Sequence, residues 1–317
     1  MRVLITGASG FVGGRLVSVL ASKTSFELYA AARRDIPHCP ATVRTVEDFS
    51  SEAKFTPLVE GMDIIVHAAA RVHVMNDKSA DPLEAFRKVN VEGTLNLARA
   101  AAAAGVKRFI FISSIKVNGE GTPKGVPYKA DSTPAPMDAY GVSKLEAEQA
   151  LQKLALATNM EVVIIRPVLV YGPGVKANFL NMMRWIEKGI PLPFGAIHNS
   201  RSLVFIDNLV DLIRVCIVHP AAANQTFLVS DGKDVSTTQL LRKIATALNK
   251  ASYLLAVPSA LLEWGASLVG KKSLSQRLCG SLQVDITKTT KLLGWTPPVS
   301  IDQALRDTAS AFQEHRK

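Results

Sequence analysis

Cysteine is scarce in this chain. The 317 residues hold three, Cys39, Cys216 and Cys279, far apart, with no Cys-x-x-Cys pair and no histidines at metal-ligand spacing. This spacing speaks against a disulfide framework and against a zinc site, so reduced thiols, no metal and a cytoplasmic location are expected. A long uninterrupted apolar run is also missing. The segment 254–269 is broken by Pro258, Glu263 and Gly265 and falls short of the roughly 20 apolar residues of a membrane helix. No stable membrane insertion is expected. The opening Arg2-Val3-Leu4-Ile5-Thr6-Gly7 is too short for the apolar core of a signal peptide and reads as a buried strand. Low-complexity tracts, heptads and fixed-period repeats are absent. Acidic residues are the minority: 27 Asp and Glu against 37 Lys and Arg, a net charge of +10. The basic residues are scattered without a basic-aromatic stripe, so a nucleic-acid partner is not expected. The charge does suit anionic small molecules.

What is present is alternation. Apolar runs at 2–6, 27–32, 63–68, 108–113 and 161–166 suit buried strands. Several precede segments of helical period, notably 82–104 and 140–158. Buried strands alternating with helices predict an α/β fold: a Rossmann-like, doubly wound parallel sheet. After Pro167 the loops lengthen around Gly172-Pro173-Gly174. Strands are expected at 203–206 and 226–230. A helix is expected from Ser236, which with Gln239 matches a capping box, and another over 301–315. The reading is a dinucleotide-binding domain over 1–170 and a smaller mixed α/β substrate domain over 171–317, with later segments free to return to the first.

Gly7-Ala8-Ser9-Gly10-Phe11-Val12-Gly13 follows the first strand and opens a helix. Glycines there permit a tight turn and let backbone N–H groups and the helix N-terminus approach a pyrophosphate. Gly7, Gly10, Phe11, Val12 and Gly13 are therefore candidate cofactor contacts. At the end of the second strand the chain reads Ala31-Ala32-Arg33-Arg34-Asp35. Many NAD enzymes carry an acid at this place for the adenine ribose. Arg33 and Arg34 instead suit a 2′-phosphate, which favours NADP(H) over NAD(H); an inward-turned Asp35 would serve NAD. Asp48 is a candidate acceptor for the adenine amino group.

Tyr140 and Lys144 are spaced i, i+4, which puts both on one helix face. An ammonium beside a phenol stabilises the phenolate, so the Tyr140 pKa is expected below its ordinary value of about 10. Such a phenol exchanges protons with a hydroxyl or carbonyl. Ser113 and Ser114 end an apolar strand, where ligands bind in parallel sheets, and a serine there can hold a substrate oxygen.

These residues resemble the extended short-chain dehydrogenase/reductase family, in particular its nucleotide-sugar epimerase/dehydratase branch, over nearly the whole chain. Gly7-x-x-Gly10-x-x-Gly13 matches the cofactor fingerprint, and His67-Ala68-Ala69-Ala70 the apolar segment after the fourth strand. Asn90 matches a structural asparagine. The resemblance implies Ser114, Tyr140 and Lys144 as catalytic residues, and it adds Ala68, Ala69 and Pro167 to the cofactor contacts. Arg166-Pro167 followed by Val170-Tyr171-Gly172-Pro173-Gly174 resembles the strand and loop beside the nicotinamide. For the substrate it implies Asn178, Arg201 and, by a weaker match, Arg277 as diphosphate contacts. Lys291-Leu292-Leu293-Gly294-Trp295-Thr296-Pro297 resembles the closing motif. Ser113 to Glu120 and Gly174 to Asn178 look like enzymes of surface-polysaccharide and lipopolysaccharide synthesis. Those reduce the C4 ketone of UDP-4-keto-6-deoxy-N-acetylglucosamine to UDP-N-acetylquinovosamine, and this is the activity expected first. Asn118 stands where typical 4-epimerases have tyrosine. A UDP-glucose or UDP-GlcNAc 4-epimerase is the alternative, and a non-catalytic NADP-binding sensor the reading of another class. The resemblance also implies a homodimer through helices such as 82–104 and 140–158.

Overall fold

The computed structural model describes residues 1–50, 52–72, 81–268 and 278–314. At its centre lie β1 (Arg2–Thr6), β2 (Glu27–Ala32), β3 (Thr42–Thr45), β4 (Ile64–His67), β5 (Arg108–Ile112), β6 (Glu161–Pro167) and β9 (Thr226–Val229). They form one seven-stranded sheet in the order β3-β2-β1-β4-β5-β6-β9. Every pairing is parallel. The order runs outward from β1 in both directions, so a crevice opens at the carboxyl ends of β1 and β4. β9 joins this sheet although it lies well past residue 170. The remaining strands, β7 (Leu169–Tyr171) and β8 (Leu203–Phe205), form a separate parallel pair.

The central strands are largely apolar because both faces of the sheet are covered, and side chains alternate between them. Leu4, Ile65, Phe109, Phe111, Val162 and Ile164 point to one face. There they meet Leu97 and Ala101 of α4 (Thr94–Ala103) and Ala147 and Leu151 of α5 (Ala139–Ala157). Val3, Ile5, Val66, Ile110, Val163 and Ile165 point to the other. They pack on Leu16 and Leu20 of α1 (Phe11–Lys23) and Leu209 and Ile213 of α7 (Ile206–Val218). Arg15 of α1 joins Asp207 of α7 by two parallel hydrogen bonds of 2.5 and 2.6 Å. A third core contains Tyr171, Phe179, Phe205, Leu240 and Leu305. It gathers α6 (Ala177–Glu187), α8 (Thr237–Ala247) and α11 (Ile301–Glu314) around β7 and β8. Phe11, at the start of α1, packs against this cluster and so ties the glycine loop to the chain's second half.

The capping box of Ser236 and Gln239 is formed in both directions. The closing motif ends α10 (Thr287–Leu293) on Gly294 at φ +60°, and Trp295 Nε1 donates to Asp211 Oδ2 at 3.0 Å.

Two expected elements differ. The helix expected over 82–104 is α3 (Pro82–Arg87), a π-helical turn (Lys88–Gly93) and α4. Gly93 lies so close to Phe49 that an added Cβ would stand 1.8 Å from its carbonyl oxygen. Asn90 turns inward to accept from Arg71 N (2.8 Å) and donate to Arg71 O (3.0 Å) and Ser143 Oγ (3.0 Å). The widened turn accommodates both contacts, as π turns do beside functional sites. The strand expected over 203–206 stops at Phe205, whose N–H donates to Asp231 Oδ1 at 2.8 Å. Ile206 then begins α7, with Asp207 in the first turn, where a negative charge suits the helix dipole.

Candidate active site

The glycine loop turns directly out of β1. Gly7 has φ +69°, and a Cβ on it would lie 2.7 Å from Ala69 N and 2.8 Å from Ala68 C. A Cβ on Gly13 would lie 2.2 Å from Gly7 O. Only glycine fits either place. Gly10 N–H donates back to Gly7 O at 2.8 Å, and Gly10 caps α1 with its backbone alone. The first turn of α1 holds no acidic residue. Its N–H groups thus present positive partial charge toward the crevice between β1 and β4. Gly7, Gly10, Phe11, Val12, Gly13, Ala68 and Ala69 are brought together, and a dinucleotide pyrophosphate fits this cradle by shape and by sign. His67, beneath it, is held between Thr6 Oγ1 (2.7 Å) and Thr94 Oγ1 (2.9 Å); burial pushes its pKa down to about 3, so it is neutral. Arg33, Arg34 and Asp35 are exposed past the end of β2. Asp48 follows β3, its Oδ1 accepting from Ser50 N (3.1 Å) and Ser50 Oγ (2.9 Å). Pro167 ends β6 opposite Val229.

Tyr140 stands in the first turn of α5 and Ser114 follows β5. The Ser114 hydroxyl stands beside the Tyr140 phenol, close enough to lower its pKa. Their alignment has a local cause. Asp138 caps α5, its Oδ1 accepting from Gly141 N at 2.7 Å. Its second oxygen binds Lys116 Nζ, and Lys116 lies two residues after Ser114. One carboxylate thus joins the start of the tyrosine helix to the serine loop. Asp138→Ala is expected to cost about 1 kcal/mol through the lost cap, read as a lower denaturant midpoint. It is also expected to lower activity more than that stability loss explains, because the Ser114–Tyr140 alignment loosens.

Lys144, one turn on from Tyr140, is almost fully buried. Its ammonium lies 3.9 Å from the centre of the Phe111 ring. Burial lowers its pKa to about 7, against the raising effect of Glu148. The Tyr140 pKa corrects the expectation from spacing. It is raised to about 12, first by burial and then by Asp138, against the lowering effect of the Ser114 hydroxyl. The lysine has itself lost much of its charge to burial and cannot outweigh that cost. As the site stands, the Tyr140 phenol holds its proton.

The substrate candidates lie beyond β6. Asn178 is the second residue of α6 and is exposed. Arg201 is half-buried, with Nη1 donating to Gly280 O at 2.9 Å, and its backbone pairs with Val235. Arg277 lies outside the described residues. Among the described residues, no group of three His, Cys, Asp or Glu is placed to hold a metal ion, and no helix is long and apolar enough to cross a membrane.

Spacing missed the layer behind the site. Glu148, one turn past Lys144, is buried and hydrogen-bonded by Ser113 Oγ and Arg166. Arg166 also donates to Asn118 Oδ1 at 3.0 Å. The available signal was an acid continuing the Tyr140–Lys144 stripe at i+8 on a helix that buries that face.

Comparison with known proteins agrees with this geometry. The model of the "NAD dependent epimerase/dehydratase family" matches residues 3–230. A UDP-glucose 4-epimerase of Vibrio cholerae is 51% identical over 311 residues, covering 98% of this chain and 95% of that protein. The crystal structure of UDP-glucuronic acid 4-epimerase from Bacillus cereus in complex with NAD superposes with a TM-score of 0.80 at 19% identity, covering 100% of both chains. RMD from Pseudomonas aeruginosa complexed with NADPH has a TM-score of 0.75 at 23% identity, covering 99% of this chain and 100% of that one. With the glycine cradle, the doubly wound sheet and a matched span of more than half its length, the chain belongs to the NAD dependent epimerase/dehydratase family.

Proposed function

We propose that this protein is a nicotinamide-dependent UDP-sugar 4-epimerase, acting on UDP-glucose or UDP-GlcNAc. The observation that carries this reading is the 51% identity to a UDP-glucose 4-epimerase along almost the full length of both chains. It moves the balance from the C4 reductase expected from sequence motifs to the alternative named beside it. The bound dinucleotide supplies the hydride exchange at C4, and the glycine cradle with Ala68 and Ala69 would hold it. Tyr140 handles the proton of the C4 oxygen, Ser114 holds that oxygen, and Lys144 supplies positive charge to the phenol when protonated. Asn178, Arg201 and Arg277 anchor the diphosphate, so that remote binding energy fixes the reacting carbon. An epimerase converts UDP-glucose without stoichiometric reductant. Consumption of one NADPH per UDP-4-keto sugar, with no conversion of UDP-glucose or UDP-GlcNAc, would restore the reductase. Tight NADP binding with neither activity would favour the sensor.

In this reading the cofactor is NADP(H) before NAD(H), supported by the exposed Arg33-Arg34 pair past β2. The double variant Arg33→Ala, Arg34→Ala is expected to weaken NADP⁺ binding about tenfold or more by calorimetry, with NAD⁺ affinity unchanged. Equal effects on both cofactors would remove the arginines from the 2′-phosphate role.

A further inference from the structure

The face of α5 that carries Tyr140 and Lys144 continues one turn further to Glu148, and each of the three residues has its own partner on or just after β5. Tyr140 stands beside Ser114. Lys144 lies over Phe111. Glu148 Oε1 accepts from Ser113 Oγ. Glu148 is then held by Arg166 of β6, Nη2 to Oε2 at 2.5 Å and Nε to Oε1 at 2.9 Å. Side-chain exposure is 1% for Glu148 and 6% for Arg166. A carboxylate so deep is costly unless paired and hydrogen-bonded. The proton handling assigned above uses Tyr140, Lys144 and Ser114, and leaves this carboxylate without a stated role.

We propose that Glu148 is a positioning residue that sets the protonation of Lys144, acting as a fixed negative charge one helical turn behind it and held in place by Ser113 and Arg166. The proposal rests on reading Tyr140 and Lys144 as the proton-handling pair. Among the described residues, Glu148 is the group whose charge raises the Lys144 pKa. From β5 it meets the Phe111 ring, and Ser113 and Ser114 are neutral hydroxyls. From β4 comes His67, neutral in its pair of threonine bonds. From its own helix come Tyr140, a neutral phenol, and Glu148. Asp138 acts on Tyr140 from the helix cap. Among the described residues, Arg166 of β6 carries a full charge nearby, and it is bound to Glu148 and to Asn118. Residues i and i+4 on a helix stand roughly 5–6 Å apart at Cβ. In a dry interior a charge at that range shifts a neighbour's pKa by about one to three units. The order of the stripe separates the duties. Tyr140 faces the half-open end and Glu148 the closed end, so Lys144 is biased from behind by a charge that solvent does not reach.

The sign is fixed. Removing a negative charge stabilises the deprotonated forms of its neighbours, so Glu148→Gln lowers the Lys144 pKa, and the unpaired Arg166 left behind pushes the same way. The test is a ¹³C NMR titration of protein labelled at the lysine Cε, with the Lys144 resonance assigned by its loss in Lys144→Met. It needs no substrate and no turnover. In the unaltered protein Lys144 is expected to titrate near pH 7. Glu148→Gln is expected to move the midpoint down by about one to two units. Glu148→Asp, which keeps the charge, is expected to stay within about half a unit. If Glu148→Gln fails to fold by circular dichroism, Arg166→Gln takes its place and carries the opposite sign, because the carboxylate is left uncompensated and the midpoint rises. A folded variant of either kind with an unmoved Lys144 midpoint overturns the proposal and leaves Glu148 a structural residue. Failure to turn over UDP-sugars would count against the epimerase and leave this titration standing.

Discussion

Tyr140→Phe is expected to lower kcat by about a hundred- to ten-thousand-fold while leaving cofactor affinity and Tm near those of the unaltered protein. The ring itself is well placed without its hydroxyl: it packs edge-on against Phe86 with centroids 5.9 Å apart, and phenylalanine keeps that contact. What is lost is the phenol oxygen beside Ser114, the one atom of the residue able to exchange a proton with a C4 oxygen. KM is expected to change little, since the diphosphate contacts lie on other elements. A fall in kcat of less than about threefold would remove Tyr140 from proton transfer.

The second large effect is structural. Gly13→Ala places a methyl carbon 2.2 Å from Gly7 O and 2.7 Å from Gly7 C. Both are backbone atoms of the turn, so neither moves aside as a flexible side chain would. Overpacking of this kind costs about 1–3 kcal/mol, and the rigid backbone here puts the expectation at the upper end, a loss of several degrees in Tm. Because the turn is also the cradle, dinucleotide binding by calorimetry is expected to vanish even where the variant remains folded. Gly14→Ala is the control. Its Cβ meets Ala8 O at 3.1 Å, a contact that a small shift relieves, so it is expected to retain binding. If Gly13→Ala bound cofactor normally, the cradle would be elsewhere.

The sheet was readable from sequence because its strands are buried on both faces. Continuous runs such as Val3-Leu4-Ile5 and Phe109-Ile110-Phe111 have no reading in this context other than covered strands. β3 was the hardest to place: four residues, Thr42–Thr45, with none fully buried, carry no apolar signature. The π turn at Lys88–Gly93 was illegible for another reason. It accommodates contacts of Gly93 with Phe49 and of Asn90 with Arg71 and Ser143, residues far apart in the chain, and no local period records them. The spacing of Tyr140 and Lys144 put both on α5 one turn apart, but it pointed the phenol's pKa shift the other way. Spacing reports that a lysine is near and says nothing of burial, which here lowers Lys144 and raises Tyr140 together. Glu148 went unread because a glutamate on a helix is usually solvated. Only Ser113 and Arg166, arriving from two strands, make it a buried anion. The choice of epimerase over reductase came from overall relatedness, since both readings assign Ser114, Tyr140 and Lys144 the same duties.

That choice is tested most directly by the fate of the C4 hydrogen. UDP-[4-²H]glucose is incubated with the purified enzyme and catalytic cofactor, and the products are followed by NMR. The expected result is a C4-epimeric UDP-sugar with deuterium retained at C4 and none found in water or free cofactor. Absence of the epimer, with the substrate recovered unchanged while a UDP-4-keto sugar is reduced at the expense of NADPH, would contradict it.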